Sequence, residues 1–197
     1  MTIAALVLAA GRSTRMGTNK LLEVLGGQSV LSHVVDAAHH SKARPLYVVT
    51  GHHEERVRAA LSDRDVIFIA NPHYAEGLSS SLKAGLAALP ATCDAALILL
   101  GDMPFITTAL IDQMITVFNA SRECAAVVPI HQGEWGNPVL IARKLFPEIQ
   151  TLSGDAGARK LLMAHRETVI EMPVTSEGVL MDLDTPEALA KARATPQ

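Results

Sequence analysis

The stretch LVLAAGRSTRMGTNK, residues 6–20, joins an apolar run to a glycine-bearing basic loop with no spacer between them. Ile3 to Ala10 carries no charge, which predicts a strand buried on both faces of a parallel sheet. The loop opens at the carboxyl end of that strand, where open α/β sheets bind their ligands. Gly11 and Gly17, with the hydroxyls of Ser13 and Thr14, leave room for backbone N–H groups to approach an anion. Arg12, Arg15 and Lys20 add three positive charges, and a triphosphate suits such a loop. Two familiar phosphate loops are excluded by spacing. Five residues separate Gly11 from Gly17, where a Walker loop has four and a following Lys-Ser/Thr, and no glycine stands two after Gly11 as the dinucleotide fingerprint requires.

Around this loop the chain alternates short apolar runs with helical patterns. Strands are expected at Leu46 to Thr50, Val66 to Ala70, Ala95 to Leu100, Ala125 to Ile130, Pro138 to Ala142, Thr168 to Met172 and Val179 to Leu183. Helices are expected at Gln28 to His40, His52 to Leu61, Ser79 to Leu89, Thr107 to Ala120 and Asp155 to His165. A last helix starts at Thr185-Pro186-Glu187, with a hydroxyl cap, a proline at the first helical position and an acid in the first turn. Such alternation means βαβ units and a mainly parallel sheet with right-handed crossovers. The 197 residues suit one α/β domain over 1–194, with 195–197 a frayed tail.

Composition narrows the function. Apolar residues make up 49% but aromatics only 4%, so the core is aliphatic. A net charge of −3 leaves no general footprint for nucleic acid, and phosphate binding falls to local basic sites. Cys93 and Cys124 are far apart and lack metal-ligand spacing, which reads as two buried, reduced, inert thiols. The opening run reaches Arg12 without a basic leader, and no later run approaches the ~18 apolar residues of a membrane span, so a cytoplasmic protein is expected. The adjacent pairs His39-His40 and His52-His53 point to different sides of their helices and read as surface residues.

Breaking a triphosphate at its α-phosphate requires the growing charge to be neutralised, commonly by Mg²⁺ on carboxylates. The sequence offers acids at two expected strand ends: Asp102 in ALILLGDMP, and Asp182 and Asp184 in GVLMDLDTP. An aspartate after a strand also forms turns or caps helices.

The residues LAAG, Arg15, Met16, Gly17 and Lys20 resemble the signature of the nucleotidylyltransferases, which move a nucleoside monophosphate from a triphosphate onto a phosphate or sugar phosphate. The resemblance implies a single-domain Rossmann-like α/β fold of the nucleotide-diphospho-sugar transferase kind, a mainly parallel twisted sheet with helices on both faces. It implies Mg²⁺ on Asp102, with Asp182 as the second ligand or Asp184 in its place. Lys20 would steady the α-phosphate, and Arg15 would grip the β- and γ-phosphates. Leu8, Ala9, Ala10, Gly11, Arg12, Ser13 and Gly17 would bind nucleotide, joined by Asn71, Gly77, Ser79 and Ser80 of NPHYAEGLSSSLKAGL at the base and ribose. GNPVL at Gly136 to Leu140 and SGDAGARKLL at Ser153 to Leu162 look like the acceptor-side motifs of the branch that attaches CMP to molybdenum-bearing molybdopterin. The alanine of LAAG, where guanylyl-transferring relatives generally have glycine, points the same way. Asn137, Asp155 and Arg159 would meet that acceptor, although Asp155 caps its helix equally well. Trp135 would either stack on a pterin or stand exposed in its turn. The implied partners are CTP, a molybdopterin-type acceptor and a molybdenum hydroxylase apoenzyme; a GTP-using or sugar-phosphate enzyme, or a non-catalytic carrier of the finished dinucleotide, are the competing readings.

Overall fold

A computed structural model describes residues 1–12, 19–121, 123–155 and 157–194. The expected Ser13, Thr14, Arg15, Met16 and Gly17 contacts, and the tail 195–197, lie outside the described residues. Strands β1 (Ile3–Ala9), β2 (Leu46–Thr50), β3 (Ile67–Ala70), β4 (Ala95–Leu100), β5 (Ala126–His131), β6 (Glu134–Trp135), β7 (Val139–Ala142) and β8 (Val169–Pro173) form one sheet. Its order is β8-β5-β7-β4-β1-β2-β3, with β6 paired to β5. β1 runs parallel to β2 and β4, β2 to β3, and β5 to β8, while β7 is reversed between β4 and β5. The helices are α1 (Val30–His39), α2 (Glu54–Ala60), α3 (Leu78–Ala87), α4 (Thr108–Ala120), α5 (Phe146–Ile149), α6 (Arg159–Ala164) and α7 (Pro186–Ala194).

β1 is buried along its whole length because both faces of the sheet are covered. Ala5, Val7 and Ala9 join Leu31, Val34 and Met114 of α1 and α4 on one side; Ala4, Leu6 and Leu8 join Leu82 and Leu86 of α3 and Leu162 of α6 on the other. At Gly85 on α3, an added Cβ would run into the side chain of Leu6, so the absence of a side chain sets how closely this helix approaches the sheet.

The direction of chain progression reverses at β1, whose neighbours β2 and β4 are reached by crossovers in opposite directions. That arrangement leaves a crevice at the carboxyl ends of β1 and β4. Leu8 lies opposite Leu100, and Gly101 N–H donates to Leu8 C=O at 3.0 Å. The loop after β1 and the Asp102 turn after β4 therefore emerge side by side.

The strand expected at Val179 to Leu183 is not found among the described residues. Residues 177–180 form a 3-10 turn, capped where Ser176 Oγ accepts from Gly178 N–H at 3.2 Å, and no strand follows. The backbone here pairs with loops instead of a sheet edge: Asn137 N–H donates to Val179 C=O at 2.8 Å and Leu183 N–H to Asp102 C=O at 3.0 Å. Leu183 then buries against Leu25, Val30 and Leu189, seating α7 on a short hairpin of Val24–Leu25 with Gln28–Ser29. Other differences are at element ends. Gln28 and Ser29 belong to that hairpin, α2 begins only after a left-handed His53, and α6 begins at Arg159 because a loop containing Gly154 at φ 64° precedes it. Cys93 and Cys124 are buried and unpaired, and burial pushes both thiols up, as expected of inert cysteines. Among the described residues no helix is long and apolar enough to cross a membrane.

Candidate active site

A cleft of about 640 Å³ occupies the crevice, within the range of small-ligand sites. Its lining combines Leu8, Ala10, Gly11 and Arg12 from β1 and its loop with Lys20, Asp102 and Asp184. Tyr74, Gly77, Leu78 and Ser81 form the facing wall, with Asp155 beside them. Ala9 is absent from the wall because side chains alternate along a strand, and its methyl packs on the opposite face of the sheet.

Lys20 opens a short 3-10 turn whose cap is the buried Asn19; Asn19 Oδ1 accepts from Leu21 N–H at 3.1 Å. From there Lys20 Nζ donates to Asp102 Oδ2 at 2.5 Å and also to Asp184 Oδ1. Burial pulls the lysine's pKa down, but the two carboxylates outweigh it and hold the ammonium above its ordinary value. Lys20 is therefore fully charged at neutral pH. Asp182, the acid first expected at the metal, is exposed and does not line the cleft. Asp184 takes that place, lining the cleft with Asp102 and pairing with the same lysine.

Two carboxylates converging on a single cationic atom form a donor set that fits Mg²⁺, which is ordinarily held by one or two carboxylates plus substrate phosphates. They do not make an all-protein cage, and among the described residues no group of three His, Cys, Asp or Glu side chains could hold a metal.

The expected base and ribose contacts divide. Gly77 lines the cleft, but Asn71, Ser79 and Ser80 are buried behind its wall. Asn71 Nδ2 donates to Ser80 Oγ at 2.9 Å and Ser81 Oγ at 3.0 Å, and its Oδ1 accepts from His73 N–H at 2.9 Å, so these polar groups brace the turn into α3. Ser81, one turn into the helix, reaches the cleft where the other two serines do not. Tyr74 was not singled out by motif; being one of only two tyrosines in the chain, and placed in this loop, was the available signal.

Among the described residues Asp155 caps none of its own helix. Its Oδ1 lies 3.4 Å from Leu78 N at the start of α3, and Ser79 N–H donates to Gly154 C=O at 3.1 Å. Gly154 and Asp155 are thereby stapled to the Gly77 turn. Gly77 has φ +100°, and a Cβ there would meet Gly154 backbone atoms at 2.5 Å. Gly77→Ala is expected to cost about 1–3 kcal/mol, and thermal melting would register it as a fall of about 2–4 °C for each kcal/mol.

A second chamber of about 190 Å³ opens beside the cleft and shares Leu8, Leu78 and Leu100 with it. Leu82, Ile98, Val128, Val139 and Leu162 line it, and Asn137 and Arg159 supply polar groups, so two of the three expected acceptor residues meet here. Trp135, a chamber residue, is not an exposed turn tryptophan. It pairs with Ile130 across the sheet, is buried, and donates from Nε1 to Glu171 Oε1 at 2.9 Å.

Residues 5–169 match the MobA-like NTP transferase domain family, to which the chain belongs; the protein is a nucleotidyltransferase, and the crevice at the β1–β4 reversal, with its lysine and paired aspartates, is its candidate site. Over 193 residues the chain is 26% identical to the molybdenum cofactor cytidylyltransferase of Escherichia coli (strain K12), covering 97% of this chain and 95% of that protein. It is 36% identical over 133 residues to the bifunctional protein GlmU of Francisella philomiragia, a match that takes in 66% of this chain but only 28% of GlmU. In structure it is similar to Rv0371c of Mycobacterium tuberculosis H37Rv, at 29% identity and a TM-score of 0.86, with 99% and 98% of the two chains covered. That protein is also known as a complex with manganese, with a TM-score of 0.83, 28% identity and full coverage of both chains.

Proposed function

We propose that this transferase moves CMP from CTP onto the phosphate of molybdenum-bearing molybdopterin, releasing pyrophosphate. The observation that carries the reading is the meeting of Lys20, Asp102 and Asp184 in one cleft that opens into an apolar chamber. The full-length similarity to the E. coli cytidylyltransferase supports the base and the acceptor.

An oxygen of the acceptor phosphate, already an anion, attacks the α-phosphorus of CTP. The new P–O bond forms as the α–β bridge breaks, and the electron pair leaves on pyrophosphate. Gly11 and Arg12 cradle the triphosphate, and Arg15 is assigned to its β- and γ-phosphates. Lys20 steadies charge building on the α-phosphate. Asp102 and Asp184 would hold Mg²⁺, which when bound neutralises phosphate charge and orients the triphosphate. Gly77, Leu78, Ser81 and Tyr74 wall the nucleoside.

A flat heteroaromatic body suits the side chamber better than a sugar phosphate does. Among its described lining side chains only Asn137, Arg159 and the committed indole N–H of Trp135 are polar, so most sugar hydroxyls would be buried unpaired. The reading carries with it a cytoplasmic setting and a molybdenum hydroxylase apoenzyme as recipient.

Pyrophosphate release, measured with each nucleoside triphosphate and Mg²⁺ in the presence of molybdenum-bearing molybdopterin, tests the proposal. Release with CTP is expected; release with GTP alone, or only with a sugar phosphate as acceptor, would overturn it. Arg159 is exposed at the chamber's rim, and Arg159→Ala is expected to raise the acceptor KM about tenfold, a charged hydrogen bond's worth. The CTP KM should stay within about twofold, since Arg159 does not line the main cleft.

A further inference from the structure

We infer that Lys20 closes the metal site of the nucleotide-free protein, so that a divalent cation and the nucleotide bind synergistically through this one side chain. The inference rests on the proposed function. Lys20 reaches Asp102, 82 residues on, and Asp184, 164 residues on, and so ties three separate parts of the chain together at the point where a cation would sit. The side chains are only 13%, 17% and 27% exposed, so solvent screens the arrangement weakly.

A divalent ion approaching these carboxylates without nucleotide meets an ammonium already held between them. It must either accept that repulsion or draw Lys20 away from both carboxylates, which costs two charge-assisted contacts in a largely buried place. The triphosphate changes the balance in two ways. Its oxygens give Lys20 another anion to pair with, and they complete the coordination of a cation that two carboxylates alone leave unfinished. The coupling is therefore positive, and by linkage it is reciprocal: nucleotide tightens metal by the same factor that metal tightens nucleotide. The nucleotide-free protein is kept from filling its site with a stray divalent ion, and the metal arrives with, or after, the triphosphate.

Any nucleotide that ligates a metal gives some synergy, so the discriminating experiment concerns metal alone. Mn²⁺ binding is titrated by calorimetry and by the loss of free-ion EPR signal, with and without α,β-methylene-CTP, in the wild type and in Lys20→Met. Wild type is expected to bind Mn²⁺ at least about tenfold more tightly when the analogue is present, within the usual range of coupling between sites. Lys20→Met is expected to bind Mn²⁺ alone about tenfold more tightly than wild type and to lose most of the coupling. A purely structural role for Lys20 would weaken metal binding instead. If Lys20→Met fails to fold, Lys20→Gln takes its place in the same titration. Unchanged or weaker Mn²⁺ binding by the variant, with the analogue still bound by wild type, overturns this inference and leaves the transferase reading standing. Failure of wild type to bind the analogue at all overturns that reading too.

Discussion

Asp102→Asn is expected to lower kcat by about three orders of magnitude, equivalent to roughly 4 kcal/mol of transition-state stabilisation, while the protein stays folded. The substitution keeps the shape of the side chain and removes only its charge. It leaves the Asp102 C=O that accepts from Leu183 N–H, and it leaves Lys20 paired with Asp184, so neither the loop nor the lysine loses its last anchor. Steady-state pyrophosphate release and circular dichroism melting, taken on the same preparation, separate the two effects. Activity near the wild-type level would mean that the reaction does not draw on this carboxylate.

Asp184→Asn and Asp182→Asn should give opposite results although they lie two residues apart. Asp184 lines the cleft and pairs with Lys20, and its neutralisation should lower kcat about 10²–10³-fold, a loss typical of removing one electrostatic contact to the reacting group. Asp182 is exposed outside the cleft, and its substitution should change kcat by about twofold or less, as is usual at the surface. Equal losses at both positions would place both acids at the metal.

Reading the sequence locates Asp102 more securely than Asp184 for a physical reason. The run from Ala95 to Leu100 is apolar throughout, so a central strand and the acid at its end follow from burial alone. Residues 179–183 show a similar but shorter apolar pattern. There the outcome rests on pairing with distant loops, through Val179 C=O and Leu183 N–H, which periodicity does not record. A strand would put Asp182 and Asp184 on one face, so periodicity leaves them open, and the tertiary contact of Asp184 with Lys20 in the cleft decides between them.

Polar residues near a phosphate loop invite the same difficulty. Asn71, Ser79 and Ser80 carry the chemistry to touch a nucleotide, but that chemistry serves equally to brace a helix start, and here Asn71 bonds two serines and a backbone N–H in the interior. Trp135 is buried because Glu171, on a strand far along the chain, accepts its indole N–H. A ligand crevice at the carboxyl end of β1 was legible because it needs only an uncharged buried strand followed directly by a glycine-bearing basic loop. Which side chains face into it was less so, because tertiary hydrogen bonds decide that.

Whether Lys20, Asp102 and Asp184 meet one metal-bound nucleotide is decided by a crystal structure of the protein with α,β-methylene-CTP and Mn²⁺, with the metal located by anomalous scattering. A peak ligated by Asp102 and Asp184 is expected, with Lys20 turned onto the triphosphate and the α-phosphate facing the chamber lined by Asn137 and Arg159. A metal and triphosphate bound away from Lys20, Asp102 and Asp184 would contradict that arrangement.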